Sequence, residues 1–129
     1  MPSIFSRIIA GEIPSYEIAQ DEHFYAFLDI SPVSKGHTLV VPKVEIDYYF
    51  DIPDELLAKM QLFCKKIAQA QKKAFLCERV SVLVMGFEVP HAHIHLIPSD
   101  SMADLNFGNK LTFTKEEMLE IALQIKNYL

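Results

Sequence analysis

Short apolar clusters alternate with polar breaks along the chain, and the spacing within each cluster assigns it to a helix or a strand. Ile4, Phe5, Ile8 and Ile9 recur at helical intervals behind Ser3, a residue suited to cap a helix, and this pattern stops at Gly11. Residues 16–20 and 24–28 read as strands flanking Asp21, Glu22 and His23, a trio with hairpin-turn composition that makes His23 an exposed turn residue. A polar connection from Asp29 to Gly36 follows. Residues 37–42 then resume a strand that Pro42 terminates, leaving His37 at the strand mouth. Pro53 and Asp54 open the longest helical pattern. In it Leu56, Met60, Phe63, Ile67 and Ala74 recur every three to four residues, Cys64 and Ala68 widen the apolar side, and lysines occupy the rest. Residues 79–85 form a valine-rich strand, broken at Gly86 and paired as a hairpin, through residues 86–90, with a strand starting at His91. Thr114 and Glu117 make a capping box ahead of a stripe of Met118, Ile121, Ala122 and Ile125. The order predicts an α+β fold: an antiparallel sheet of about five strands, one long helix and a C-terminal helix.

Composition sets the scale. With 129 residues, 50% of them hydrophobic, there is material for one core, so residues 1–129 are expected to form a single domain. A formal net charge of −5 and the lack of a Lys/Arg-rich run argue against a nucleic-acid polymer or an anionic membrane as partner. A small phosphate ligand held locally stays compatible with them. The first residues lack the basic start and apolar run of a signal peptide, and no run reaches about 18 apolar residues, so a soluble, cytoplasmic protein is expected. Cys64 and Cys77 lack C-x-x-C spacing and are expected to be free thiols without a nucleophilic role.

The candidate chemistry lies in residues 91–98. A two-residue period puts His91, His93 and His95 on one side of the strand, with Ala92, Ile94 and Leu96 on the core side. Same-side neighbours are roughly 6.5–7 Å apart along the backbone, so the rings can converge on one anionic group. Three readings stay open on spacing alone: solvated histidines at a sheet edge, a metal site of imidazole ligands, and nucleophilic and acid–base chemistry on a phosphate. In the third, a neutral imidazole attacks and a protonated neighbour stabilises oxyanion charge.

The His-Ala-His-Ile-His-Leu-Ile sequence, with residues 5–14, 27–32 and 36–43 before it, resembles the histidine triad (HIT) family of nucleotide-binding hydrolases and transferases. The likeness runs from about residue 3 to residue 98, and the tail from residue 99 onward adds nothing to it. It implies a HIT-like fold and attack by His93 on the α-phosphorus of a nucleotide, giving a nucleotidyl-histidine that water hydrolyses. His95 would contact the phosphoryl oxygens, His37 would face them from the neighbouring strand, and the His91 carbonyl would orient the His93 ring. Asp29 matches the residue that binds the ribose hydroxyls. Phe5, Ile8, Ile13, Phe27 and Ile30 match the apolar slot for the base, with adenine as the family default. The implied substrate is a purine nucleotide, an AMP conjugate such as a phosphoramidate or a dinucleoside polyphosphate. A homodimer is implied as well, and no cofactor.

The departures are specific. Many bacterial members hold structural zinc with two N-terminal cysteines, a later histidine and the first triad histidine; the first three of those places here read Ser3, Ser6 and Glu45, so no structural zinc is expected. The loop before the triad is short, the usual Asn has no counterpart, and Phe87 stands where a phosphate-contacting Gln would be. Glu88 keeps the next position, either as an aid to leaving-group protonation or as a plain loop acid. Lost amide donors are expected to weaken or redirect the usual activity more than nucleotide binding, so a non-catalytic nucleotide-binding or signalling module is the competing class. A metal-dependent hydrolase using the three imidazoles is a third.

Overall fold

The computed structural model describes residues 1–129, with five strands and three α-helices. The N-terminal helix α1 (Ile4–Ile9) starts where the Ser3 hydroxyl accepts from the Ser6 N–H. Strands β1 (Glu17–Gln20) and β2 (Phe24–Leu28) are joined by a turn in which an Asp21 carboxylate oxygen accepts from the N–H groups of His23 and Phe24. Strand β3 (Thr38–Pro42) precedes the long helix α2 (Asp54–Phe75), followed by β4 (Arg79–Leu83), β5 (Ile94–Ser99) and α3 (Lys115–Lys126). At α3 both halves of the Thr114/Glu117 capping box form. The strands make one sheet in the order β1-β2-β3-β5-β4, antiparallel throughout.

The two faces of this sheet serve different ends. Phe24, Ala26, Leu28, Val40, Ile94 and Leu96 pack with Met60, Cys64 and Ile67 of α2 and Ile121 and Ile125 of α3 into the larger core. Tyr25, Phe27, Leu39 and Val41, from alternate positions of β2 and β3, pack with Phe5 of α1 into a smaller one. Burial on both faces explains why β2 is apolar throughout and β3 is apolar from Leu39 to Pro42. The β5 position opposite Leu39 is His95, which places the histidine on the α1 face of the sheet. Ala92, Ile94 and Leu96 lie in the larger core, as the alternation requires.

Two features lock the long helix to the sheet beside the site. Gly36 has φ +89°, and a Cβ there would run into the Phe75 ring, so only glycine makes this turn into β3. The fully buried Gln71 amide donates toward the carbonyls of Gly36 and Leu96.

Four particulars differ from the sequence pattern. Ladder pairing in β5 begins at Ile94, so of the triad only His95 is a strand residue, and His91 and His93 occupy the extended lead-in. His37 lies one residue before β3. Single-turn 3-10 helices occur at Tyr49–Asp51 and Met102–Leu105. Leu76 closes α2 in a left-handed conformation, φ 51°, which an apolar residue gives no reason to expect. Cys64 and Cys77 are free and buried, and burial pushes the Cys64 thiol up to about 12, which makes it a poor nucleophile. No helix is long and apolar enough to cross a membrane.

Candidate active site

On the α1 face the sheet opens into a cleft of about 490 Å³, within the range that holds a small-molecule ligand. Its apolar side is made by Phe5, Ile8, Ile13, Phe27 and Ile30, the residues expected to form a base slot. Phe5 and Phe27 meet edge to face, their centroids 5.5 Å apart. Ile30 is 76% exposed at the mouth, an apolar side chain in water where a ligand would cover it. Asp29, His93 and His95 line the polar side, and Met85, Phe87, Glu88 and Val89 of the loop before the triad form the rim. Glu88 is exposed.

Hydrogen bonds fix the tautomer of each ring. The Val33 N–H donates to His37 Nδ1 at 3.1 Å, so the His37 proton is on Nε2, which lies 2.9 Å from His95 Nδ1 and donates to it. The His95 proton is therefore on Nε2, a buried N–H with no protein partner in a ring that lines the cleft. His93 Nδ1 donates to the His91 carbonyl at 2.8 Å, which leaves the Nε2 lone pair of His93 accessible. His91 is engaged at both nitrogens: Nε2 donates to the Pro42 carbonyl at 2.8 Å, and Nδ1 accepts from the Ser3 hydroxyl at 2.7 Å.

This arrangement corrects two expectations. His37 does not line the cleft; it is wholly buried, its Nε2 2.9 Å from His95 Nδ1 and 3.6 Å from a carboxylate oxygen of Asp29. Nor is there a protonated neighbour to stabilise an oxyanion: burial, then the adjacent His95, holds His37 down at about 3, while burial, then His93 and Lys110, holds His95 at about 4. His91 is lowered too, mainly by burial. The donor presented to a ligand is a neutral imidazole N–H. Asp29 shifts the other way: burial raises its carboxyl above the usual range, against the opposing pull of the Ser31 N–H and the Lys110 ammonium.

The two metal possibilities meet the same network. Ser3, Ser6, Glu45 and His91 do come together, as the zinc-site alignment implies, but as a hydrogen-bonded set. Glu45 accepts from the Ser3 N–H and the Ser6 hydroxyl, each at 2.7 Å, which draws its carboxyl down to about 2. With one imidazole, no thiolate and both His91 nitrogens in use, this donor set does not fit zinc. Of the triad imidazoles, both nitrogens of His91 and Nδ1 of His93 are likewise engaged in hydrogen bonds. Asp29, His37 and His95 have ligand atoms within 4.8 Å of one another, yet both His37 nitrogens and Nδ1 of His95 are committed to hydrogen bonds.

Sequence reasoning missed one wall. After β5 the chain returns over the cleft, where Phe107 stands edge-on to His95 and His37, with centroids 5.4 and 6.0 Å away. Lys110 lines the same cleft, its ammonium 4.9 Å from the Phe107 ring centroid. An aromatic residue in a Gly/Asn-rich turn, Asn106-Phe-Gly-Asn-Lys110, was the available signal.

Comparison with known proteins yields a consistent set. Residues 10–102 match the HIT domain family. A 112-residue stretch is 42% identical to Protein hit of Bacillus subtilis, covering 81% of this chain and 75% of that one. Over 100 residues, 74% of this chain and 61% of the other, identity is 40% to the adenosine 5'-monophosphoramidase HNT1 of Saccharomyces cerevisiae. The crystal structure of a Hit-like protein involved in cell-cycle regulation from Bartonella henselae superposes with a TM-score of 0.87 at 33% identity, covering 98% of this chain and 96% of that one.

Proposed function

The chain belongs to the HIT domain family, and we propose that it is a nucleotide hydrolase or transferase that cleaves a nucleoside 5'-monophosphate conjugate at its α-phosphate through a covalent His93 intermediate. The observation that carries this reading is a pair of opposite functions in one cleft: an accessible lone pair on His93 Nε2 and an unpartnered N–H on His95 Nε2. The first is a nucleophile and the second a donor for an oxyanion.

In the first step His93 Nε2 forms a bond to phosphorus, and the bond from phosphorus to the leaving group breaks. The leaving group departs with that electron pair and takes up a proton. The positive charge that develops on His93 is shared with the His91 carbonyl through the Nδ1–H hydrogen bond. In the second step water attacks phosphorus and loses a proton, the N–P bond breaks, and the imidazole returns to its neutral form. His95 donates to a phosphoryl oxygen throughout, polarised from behind by His37. Asp29 takes the ribose hydroxyls and the Phe5/Phe27 side takes the base. Similarity to a relative named as an adenosine 5'-monophosphoramidase supports AMP conjugates, phosphoramidates among them, as the substrate class. The exposed outer edge of β4, where Val82 is 56% exposed, supports a homodimer as part of the same proposal.

His93→Ala should lower turnover of an AMP conjugate by about 10⁴-fold or more while AMP affinity stays within a few fold. Intact-mass measurement after mixing with an AMP phosphoramidate or mixed anhydride should reveal an adenylyl adduct on His93, most readily in a His95→Ala background. Unchanged turnover in His93→Ala refutes the assignment. AMP binding with neither adduct nor product identifies the chain as the binding module instead.

A further inference from the structure

We infer that the Asn106–Lys110 turn is a substrate-binding element, in which Lys110 supplies the cation for the nucleotide phosphate. This rests on the nucleotide reading above and extends it to a segment beyond the matched residues 10–102.

A nucleoside phosphate conjugate is an anion, and the cleft offers it two carboxylates, Asp29 and Glu88, and imidazoles; burial keeps His95, and His37 behind it, neutral near pH 7. Among the residues lining the cleft, Lys110 is the one with a fixed positive charge. A neutral N–H donor can bind a phosphoryl oxygen, but it does not offset the desolvation of the charge.

Geometry then puts the cation beside the reacting groups. Phe107 packs edge-on against His95 and His37, and Lys110 lies over the Phe107 ring. The turn is held at both ends: Asn106 closes it by accepting from the N–H groups of Gly108 and Asn109, and the Leu111 N–H donates to the Pro32 carbonyl in the loop that carries Asp29. The ammonium is thus exposed on a fixed stalk, free to trade its place over the ring for a phosphate oxygen.

Calorimetry with AMP on the wild type, Lys110→Ala and Lys110→Arg, at about 50 mM and about 500 mM salt, tests this. The alanine variant should bind AMP about 10-fold more weakly at low salt, the gap should close at high salt, and arginine should restore binding. If Lys110→Ala binds within about 2-fold of wild type at low salt, or if its deficit persists at high salt as lost packing would, the Lys110 assignment fails while the nucleotide reading stands. If the wild type binds no AMP, both fall.

Discussion

The two ends of the histidine row, His91 and His95, share a residue type and near-complete burial, yet they are built on opposite plans. At the His91 end every polar atom is spoken for: Ser3 and the Pro42 carbonyl take the ring nitrogens, and Glu45 ties Ser3 and Ser6 together. At the His95 end one nitrogen is fed by His37 and the other, a buried N–H, has no protein partner. A donor without a protein partner at one end and a saturated network at the other separate site from scaffold. His93 stands between the two, anchored by the first plan and exposed to the second.

Substitutions at the two ends should therefore differ in their effect on kcat. The largest effect belongs to the open end: His95→Ala should cut kcat for an AMP conjugate by about 10²- to 10³-fold, the cost of one oxyanion donor, in addition to the loss of stability from stranding the buried His37 Nε2–H. Loss of stability without loss of kcat in that variant would erase the distinction. At the closed end His91→Ala should cost about 2–3 kcal/mol in urea unfolding, because it strands the Ser3 hydroxyl and the Pro42 carbonyl in a buried place. Any kcat deficit there should follow from misorientation of His93.

A third effect, on acid stability, joins the two ends. His37 and His95 have folded-state values depressed to about 3 and about 4, so the unfolded chain binds their protons first. Their contribution is fully present above the ordinary histidine value and is lost as pH falls from about 6.5 toward those values. Glu45, drawn down to about 2, adds a loss between the ordinary carboxylate range and that value. Denaturation midpoints measured from pH 7 down to about 3 should decline in two stages, and Glu45→Gln should remove part of the lower one alone. A flat profile between pH 7 and about 5 would mean the buried imidazoles are charged in the folded state.

Much of this could be read along the chain, and what could not has a common physical origin. The α3 capping box, the α2 stripe, the polar turn at Asp21 and the core role of Ala92, Ile94 and Leu96 all depend on neighbours within a few residues, where periodicity and side-chain chemistry suffice. The histidine triad and its flanking segments also sufficed to indicate the HIT fold. What stayed hidden depends on which partner a ring finds across the fold. His37 has the same composition whether it faces a ligand or stands behind His95, and only the Val33 N–H settles which of its nitrogens carries the proton. Ser3, Ser6 and Glu45 were legible as the wrong residues for zinc, but not as a hydrogen-bonded replacement that caps α1 and holds His91 at once. Phe107 and Lys110 sit in a stretch without periodicity, and their place over the cleft comes from the path of the chain after β5.

The bond from the Val33 amide has a reach that its length conceals. A peptide N–H can give a proton to a ring but cannot take one, so the His37–His95 wire conducts hydrogen-bond polarity in one direction, from the backbone toward the cleft. One main-chain hydrogen, two rings back from any substrate, decides that a phosphate meets a donor there and not a lone pair.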